Sequence, residues 1–239
     1  MRLPRRPAHS ALILLVLAAV GIAAAALSFA QGTHPVSGRR IASVMDARGA
    51  EWLDRPERER EEAPAKAIAA LDIQPGQTVA DIGAGSGYYT VRLAEVVGPN
   101  GRVYATDIQP AMLDLIRKKV EAKGIGGNVE LVQGTLTESK LPDRTIDLAL
   151  MVDVYHELAQ PQAFLQSLKR ALKPDGQLVL IEFRKETAWV PIREEHKMSV
   201  AEARMELEAG GYIFVRTIDV LPWQHLLVFK PGGRPVTAP

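Results

Sequence analysis

The sequence lacks cysteine, has few aromatic residues and carries almost no net charge. The absence of cysteine from all 239 residues excludes disulfides, thiolate catalysis and thiolate metal ligands. The formal net charge is +1, from 29 basic and 28 acidic side chains, so the chain has no basic footprint for nucleic acid and we expect no such partner. With 47% hydrophobic residues, the composition is that of a globular domain with a sizeable core.

The first thirty residues differ from the rest of the chain in composition. Three arginines precede the uncharged run 11–30, which ends in the small-residue pattern S-F-A. A basic start, an apolar run and a small-residue site are typical of a secretory signal, and this run also just reaches the ~20 residues that span a bilayer. The pattern predicts a signal peptide or signal anchor at residues 1–30 that engages the membrane or the export machinery. We therefore expect an exported domain, either periplasmic or anchored to the inner membrane with the domain outside.

The remaining chain divides into three predicted parts. Residues 31–40 are polar and turn-rich, which indicates a linker, and a charged helical pattern follows up to residue 62, so that 31–62 forms a linker and N-terminal helical segment. Residues 63–230 form the main domain, in which apolar strands alternate with helices. The tail 231–239 is rich in proline and glycine and is predicted to be flexible.

The alternation within the main domain predicts an α/β fold with a mostly parallel, Rossmann-like sheet covered by helices on both faces. Seven strands are predicted, at residues 78–83, 101–107, 128–134, 145–153, 177–184, 212–221 and 224–230. The last two are joined too tightly for a parallel crossover, so they must form an antiparallel hairpin. Ligands of such sheets bind beyond the carboxyl ends of the strands.

A glycine-rich loop, VADIGAGSGYYT, follows the first strand. Gly83, Gly85 and Gly87 lie between that strand and a helix, which is the context of a nucleotide-binding loop. The G-x-G-x-G spacing differs from the dinucleotide fingerprint, whose third glycine falls where Tyr88 stands, and this argues against a nicotinamide-dependent oxidoreductase. The loop contains no lysine or arginine, so it is not built around a triphosphate.

From about residue 60 to residue 230, the chain resembles the class I S-adenosylmethionine-dependent methyltransferases. The resemblance rests on VADIGAGSG, on Asp107 at the end of the second strand and on IDLALMVDVYHEL at the fourth. It implies the seven-stranded methyltransferase sheet, S-adenosyl-L-methionine as cofactor and methyl transfer to a small-molecule substrate. More narrowly, WLDRPERE, YATDIQPAML, VDVYHEL, EEHKMS and QHLLVF resemble a group of exported bacterial predicted methyltransferases, which implies no particular acceptor.

The resemblance also implies which residues hold the cofactor. The loop from Asp81 to Gly87 contacts its methionine end, and Asp107 contacts its ribose. The implied positions are Asp81, Gly83, Ala84, Gly85, Gly87, Tyr88, Asp107, Ile108, Thr135 and Asp153. The sequence departs from the family after the third strand, where an acid often bonds the adenine amino group. Thr135 stands there and either contacts adenine or caps its loop, and Asp153 either binds cofactor or substrate or caps the next loop.

Three histidines are predicted at the carboxyl edge of the sheet. His156, with Glu157 beside it, follows the fourth strand, His196 follows the fifth, and His225 opens the last strand. His156 or Glu157 is predicted as a general base for the nucleophile, with His196 and His225 as further catalytic candidates. Imidazole and carboxylate also suit a metal, but nothing local fixes ligand geometry, so no metal site is predicted. The alternative for each histidine is a structural role, as a hydrogen-bonded polar residue outside the catalytic machinery.

Two alternatives stay open at this point. The segment WLDRPERERE is either a lid whose arginines recognise an acidic substrate or a solvated, salt-bridged helix face. The protein as a whole is either a methyltransferase or an exported, non-catalytic binding protein that keeps the methyltransferase fold. The second hypothesis arises because the cofactor is made in the cytoplasm, and nothing in the sequence explains its supply outside.

Overall fold

The computed structural model describes residues 32–232. The predicted signal segment 1–30 and most of the tail 231–239 lie outside the described residues. No helix between residues 32 and 232 combines the length and the apolar character that crossing a bilayer requires.

Strands and helices alternate as the sequence predicts. The strands are β1 (Thr78–Ile82), β2 (Arg102–Asp107), β3 (Val129–Gln133), β4 (Ile146–Val152), β5 (Leu172–Arg184), β6 (Lys197–Met198), β7 (Tyr212–Ile218) and β8 (Gln224–Pro231). The helices are α1 (Arg58–Glu61), α2 (Pro64–Ala70), α3 (Tyr88–Val97), α4 (Pro110–Lys123), α5 (Pro161–Ala171) and α6 (Val200–Ala209). Short 3-10 helices occur at Ala47–Asp54, Gly126–Asn128, Tyr155–Glu157 and Glu194–His196.

The sheet has the order β3-β2-β1-β4-β5-β8-β7. Strands β1 to β5 run parallel, and β8 pairs antiparallel with both β5 and β7, so the predicted closing hairpin is confirmed. The two-residue strand β6 pairs with β5 outside this order and is too short to show a strand pattern in the sequence. Ile82 lies opposite Thr106 of β2 and Met151 of β4, so the loops after these three strands meet at one edge.

The core lies on both faces of the sheet, and β4 shows why. Leu148 and Leu150 pack on the face that is covered by α2 and α3. Ala149 and Met151, which alternate with them, pack on the face covered by α5 and α6. A strand buried on both faces is nearly all apolar, as this one is.

Two predicted elements differ from the structure. The helix predicted over 161–176 ends at Ala171, because the stretch Pro174-Asp175-Gly176 belongs to a bulged start of β5. The helical pattern between residues 41 and 62 forms only a 3-10 helix and the four-residue α1, which flank Pro56. Proline cannot donate to a helical hydrogen bond, so a continuous helix is broken there.

The stretch predicted as a linker, 31–40, packs against the domain wherever the structure describes it. His34 and Arg39 are buried, and both approach Glu206 of α6. The His34 Nε2 atom lies 3.3 Å from Glu206 Oε2. Local composition predicts a linker because it cannot reveal a partner that lies more than 160 residues further along the chain.

Candidate active site

One cavity of about 610 Å³ lies at the carboxyl edge of the parallel strands. Residues that follow β1, β2, β3 and β4 line one side of it, and the segment from Ser43 to Arg58 lines the other. The 3-10 turns at Tyr155–Glu157 and Glu194–His196 contribute His156, Glu157 and His196 to its lining. The site is therefore where the sheet topology predicts it, at the end of the strands where neighbouring loops diverge.

The glycine loop requires glycine for two separate reasons. Gly83, Gly85 and Gly87 all have positive φ, at 66°, 54° and 78°, which other residues rarely adopt. A Cβ on Gly83 would lie 2.7 Å from Val154, and one on Gly85 would lie 2.7 Å from Leu53 Cδ1. The loop therefore fits tightly between the turn after β4 and the segment that covers the cavity.

Asp107 joins the glycine loop to the end of β2. Its Oδ2 accepts a hydrogen bond from the Gly85 amide at 3.1 Å, and its Oδ1 accepts one from the Gln109 amide at 2.9 Å. Burial raises the pKa of Asp107, although these backbone donors oppose the shift. The carboxylate lines the cavity beside the partly exposed Ile108. A carboxylate oxygen can accept further hydrogen bonds, so Asp107 remains able to bind a ligand hydroxyl.

Asp81 supports the loop from beneath and does not line the cavity. Its Oδ2 accepts a hydrogen bond from Thr90 Oγ1 at 2.6 Å, and burial raises its pKa to about 6. Ala84, Gly87 and Tyr88 also stand behind the cavity wall, whereas Gly83 and Gly85 line it. Of the implied loop residues, Gly83 and Gly85 therefore line the cavity and the others do not.

Thr135 serves as a loop cap and also reaches the cavity. Its Oγ1 accepts hydrogen bonds from the amides of Thr137 and Glu138, at 3.3 and 3.0 Å. The residue lines the cavity together with Gly134 and the exposed Leu136. Both roles that the sequence left open for Thr135 are therefore sterically compatible.

Asp153 presents an unpaired carboxylate oxygen. Its backbone has a positive φ of 55°, and its Oδ2 accepts a 2.7 Å hydrogen bond from Gln224 Nε2. Oδ1 is buried and has no hydrogen-bond partner. Burial, followed by the nearby carboxylates of Glu62 and Glu182, raises the pKa of Asp153. Because Asp153 lines the cavity, this oxygen is suited to a cationic donor on a ligand.

Arg58 brings a positive charge to the same cavity. Its guanidinium donates to Glu62 Oε2 at 2.6 Å and to the Leu53 carbonyl at 2.8 Å, and it lies over the Tyr88 ring, 4.3 Å from the centroid. Arg58 is buried and lines the cavity, whereas Arg60 on the same helix is exposed. The WLDRPERERE segment is thus a cavity wall at Arg58 and a solvated face at Arg60.

His156, His196 and Glu157 meet in the lining of the cavity. His156 Nε2 lies 3.0 Å from His196 Nδ1, and Glu157 Oε1 lies 4.0 and 3.9 Å from these two nitrogens. The other ring nitrogen of His156, Nδ1, lies 2.6 Å from Oε2 of the buried Glu182. The predicted meeting of His156 and His196 at one edge is therefore what the structure shows.

The protonation preferences of this group differ from one residue to the next. Burial alone would lower the pKa of His156, but the charge and hydrogen bond of Glu182 outweigh it and raise the pKa. Burial, with the nearby His156, lowers the pKa of His196. Burial also raises the pKa of Glu157 to about 7. The group therefore places His156, whose protonated form is favoured, beside His196, whose neutral form is favoured.

His225 stands apart from this group. It is buried on β8 opposite Glu182, its Nε2 has no hydrogen-bond partner, and it does not line the cavity. Sequence reasoning missed Glu182 and Gln224, and it included Arg58 only as one of the arginines of the WLDRPERERE segment. Glu182 left a signal, since a lone acid within the apolar strand VLIEF must be paired when it is buried.

Comparison with known proteins agrees with this geometry. A family described as "Methyltransferase domain" matches residues 79–176. The crystal structure of a SAM dependent methyltransferase from Aquifex aeolicus superposes with a TM-score of 0.73 at 32% identity, and the alignment covers 78% of this chain and 98% of that one. The chain belongs to the S-adenosylmethionine-dependent methyltransferases. S-adenosylmethionine is accordingly its cofactor.

Other relatives of this methyltransferase are more distant or match only in part. The "Ubiquinone/menaquinone biosynthesis C-methyltransferase UbiE" of Ectopseudomonas mendocina is 35% identical over 118 residues, which are 49% of this chain and 46% of that one. This chain thus spans about half the length of the curated relatives it matches. A S-adenosylmethionine dependent methyltransferase from Mesorhizobium loti shares the fold, with a TM-score of 0.57 at 16% identity over 70% of this chain and 97% of that one.

The residues of the cavity fit this cofactor. Its amino acid portion carries one cationic and one anionic group. The unpaired oxygen of Asp153 is an acceptor for the first. Arg58 is a cationic residue in the cavity lining for the second, although Glu62 already accepts a hydrogen bond from its guanidinium. Asp107 offers acceptors to the ribose hydroxyls. The exposed apolar side chains of Ile108 and Leu136 suit the faces of an adenine ring.

Proposed function

We propose that the protein transfers a methyl group from S-adenosylmethionine to a small molecule that carries an aromatic or quinone-like ring with a hydroxyl group. One observation carries this proposal: the cavity that begins at Gly83 and Asp107 continues without interruption to His156 and His196. When bound, the cofactor supplies a methyl group that is activated by the adjacent sulfonium. The chain has to place an acceptor at the other end of the same enclosure, and alignment of this kind supplies ~7–11 kcal/mol of a barrier.

The cavity has an apolar lining with one polar pole. Phe164, Phe183 and Ile192 are among the apolar side chains that line the cavity, and they favour a flat, hydrophobic ring. The polar pole is His156, His196 and Glu157, which suits a hydroxyl group that must lose a proton. The name of the partly aligned relative, a quinone C-methyltransferase, supports a ring of this type.

The first test is cofactor binding, measured by calorimetry on the full-length chain in mild detergent. Asp153→Asn replaces the carboxyl group that we propose binds the cofactor's amino group, so we expect the affinity for S-adenosylmethionine to fall about 10- to 100-fold. The ligand 5′-methylthioadenosine, which lacks the amino acid portion, should bind both proteins equally. If the wild-type chain shows no heat of binding with S-adenosylmethionine, the proposal is refuted.

The second test is transfer itself. Methyl-labelled S-adenosylmethionine is incubated with the protein and with phenols, catechols and hydroquinones, and labelled product is detected by mass spectrometry. We expect label on a ring compound and none on matched ring compounds without a hydroxyl group. Cofactor binding without transfer to any of these rings would favour the alternative of a binding protein that keeps the fold.

We also propose that the domain is exported. The composition of residues 1–30 and the resemblance to exported bacterial methyltransferases support this. A phosphatase that is active only outside the cytoplasm, fused after residue 239, should be active in cells. In the matched control, a polar sequence replaces the apolar run 11–30, and the fusion should lose its phosphatase activity. An intact wild-type fusion that is inactive would contradict export.

A further inference from the structure

We propose that His156, Glu157 and His196 bind a divalent transition-metal ion at the acceptor end of the cavity. Within residues 32–232, these are the three metal-ligating side chains whose donor atoms converge. The site occupies the same cavity as the proposed function but does not depend on it, because metal binding is measurable without cofactor or acceptor. The carboxylate and imidazole donors suit Zn²⁺, Fe²⁺ or Co²⁺.

The spacing of the two imidazoles fits two neighbouring ligands of one ion. His156 Nε2 and His196 Nδ1 are 3.0 Å apart, and their rings are nearly perpendicular, at 83°. Two nitrogens at this separation, each ~2.1 Å from an ion, subtend an angle of about 90° at it. Glu157 Oε1 is almost equidistant from both nitrogens, at 4.0 and 3.9 Å, so a rotation of its carboxylate brings it into the same coordination shell.

Glu182 holds His156 in the orientation that a metal requires. Its Oε2 lies 2.6 Å from His156 Nδ1, and its Oε1 accepts a hydrogen bond from the Tyr155 amide at 3.0 Å. Both carboxylate oxygens are therefore engaged, and both side chains are buried. A carboxylate that binds one ring nitrogen keeps the proton there and directs the other nitrogen's lone pair outward, as in metal-bound histidines generally.

A cation also explains why the two imidazoles face each other. Two ring nitrogens 3.0 Å apart repel unless one carries a proton or both face a positive ion. His196 is partly exposed at 28% of its side chain, so the cavity gives an ion a route to this position. Because all three residues line the cavity, an ion that they bind would be accessible to an acceptor hydroxyl that enters it.

The experiment uses full-length, tag-free protein that has been treated with a chelator and is then titrated with Co²⁺. Visible d–d absorption of protein-bound cobalt reports the ligand set, and elemental analysis after dialysis reports the stoichiometry. We expect about one cobalt per chain. His196→Ala should weaken cobalt binding at least tenfold, and Glu182→Gln should weaken it about 10- to 100-fold, although Glu182 is not a ligand.

Glu194→Gln is the matched control, because Glu194 lies on the same 3-10 turn as His196 but is exposed. It should bind cobalt like the wild type. The proposal is overturned if wild-type protein binds no cobalt, or if His196→Ala and Glu194→Gln bind it equally well. Calorimetry with S-adenosylmethionine checks each variant's fold, because a variant that loses cobalt but still binds the cofactor has lost a ligand and not its fold. A wild-type chain that binds the cofactor but no cobalt refutes this inference and leaves the proposed function standing.

Discussion

Arg39 donates two hydrogen bonds to Glu206, from Nε to Oε1 and from Nη2 to Oε2, each 3.0 Å long and buried. A third bond runs from Arg39 Nη1 to the carbonyl of His156, also at 3.0 Å. The guanidinium thus connects the start of the described chain, helix α6 and the turn that carries the polar pole of the cavity. A segment that composition marks as a linker fixes the position of a candidate active-site residue.

Removing Arg39 takes away both hydrogen bonds that its guanidinium donates to the buried Glu206 carboxylate, which is left beside Ser37 and His34. Arg39→Met should therefore lower the free energy of unfolding by about 3–5 kcal/mol, measured by urea denaturation. Arg204→Ala on the same helix as Glu206 removes an exposed pair with Glu208 and should cost no more than ~0.5 kcal/mol. The double variant Arg39→Met/Glu206→Leu should recover most of the loss. Equal losses in Arg39→Met and Arg204→Ala would contradict the assignment.

Gly85 should be intolerant of alanine for both backbone and steric reasons. Its φ of 54° costs about 1–2 kcal/mol for a residue with a Cβ, and the contact with Leu53 adds about 1–3 kcal/mol. Gly124→Ala is the control, since Gly124 has a φ of 66° with no atom within 4 Å of the new Cβ. Thermal unfolding should show the larger loss for Gly85→Ala. Adding Leu53→Ala to Gly85→Ala should recover only the steric part of the lost stability. No recovery would contradict the close contact between Gly85 and Leu53.

Asp81 should make the folded state less stable at neutral and alkaline pH. Its folded-state pKa of about 6 lies above its ordinary value of 3.8, so ionisation opposes folding above pH 6, and this cost disappears as the pH falls below about 4. Asp81→Asn, which keeps an acceptor for Thr90, should raise the free energy of unfolding at pH 8 by up to about 3 kcal/mol. The gain should shrink between pH 6 and pH 4. A pH-independent gain, or a gain shared by exposed Asp143→Asn, would count against this explanation.

Arg58 should contribute to cofactor affinity through its charge and fork geometry. Arg58→Lys keeps a positive charge beside Glu62 but loses the planar guanidinium, so we expect S-adenosylmethionine to bind about 10-fold more weakly. Arg60→Lys, on the exposed side of the same helix, should change nothing. Binding of 5′-methylthioadenosine distinguishes the causes: an equal loss for both ligands would show that the wall had been disturbed rather than a carboxylate contact removed.

Local patterns predicted the fold well because each strand and helix has its own hydrophobic periodicity and its own boundary residues. They also placed Gly83, Asp107 and His156 at one edge, since the carboxyl ends of parallel strands must converge there. His225 shows the limit of that argument. It opens β8 at the correct edge, but it lies buried opposite Glu182 and outside the cavity wall. An edge position does not determine which way a side chain points.

Contacts between residues that are far apart in the chain could not be predicted from the sequence. Arg39 and Glu206 are 167 positions apart. His156, in the turn after β4, is 26 positions from Glu182 of β5. No local pattern distinguishes Arg58, which lines the cavity, from Arg60, which is solvated two positions later. These contacts depend on how separate segments pack, and packing is decided by the whole fold.

The continuous cavity also has a consequence for inhibitor chemistry. Because Asp107 and His156 line a single cavity, one molecule can occupy the nucleoside half and the ring half of the proposed reaction's site together. A bisubstrate compound, with an adenosine group linked to a hydroxylated ring, would lose translational freedom once instead of twice on binding. Its selectivity over other methyltransferases would depend on the ring half, because the adenosine half is common to enzymes that use this cofactor.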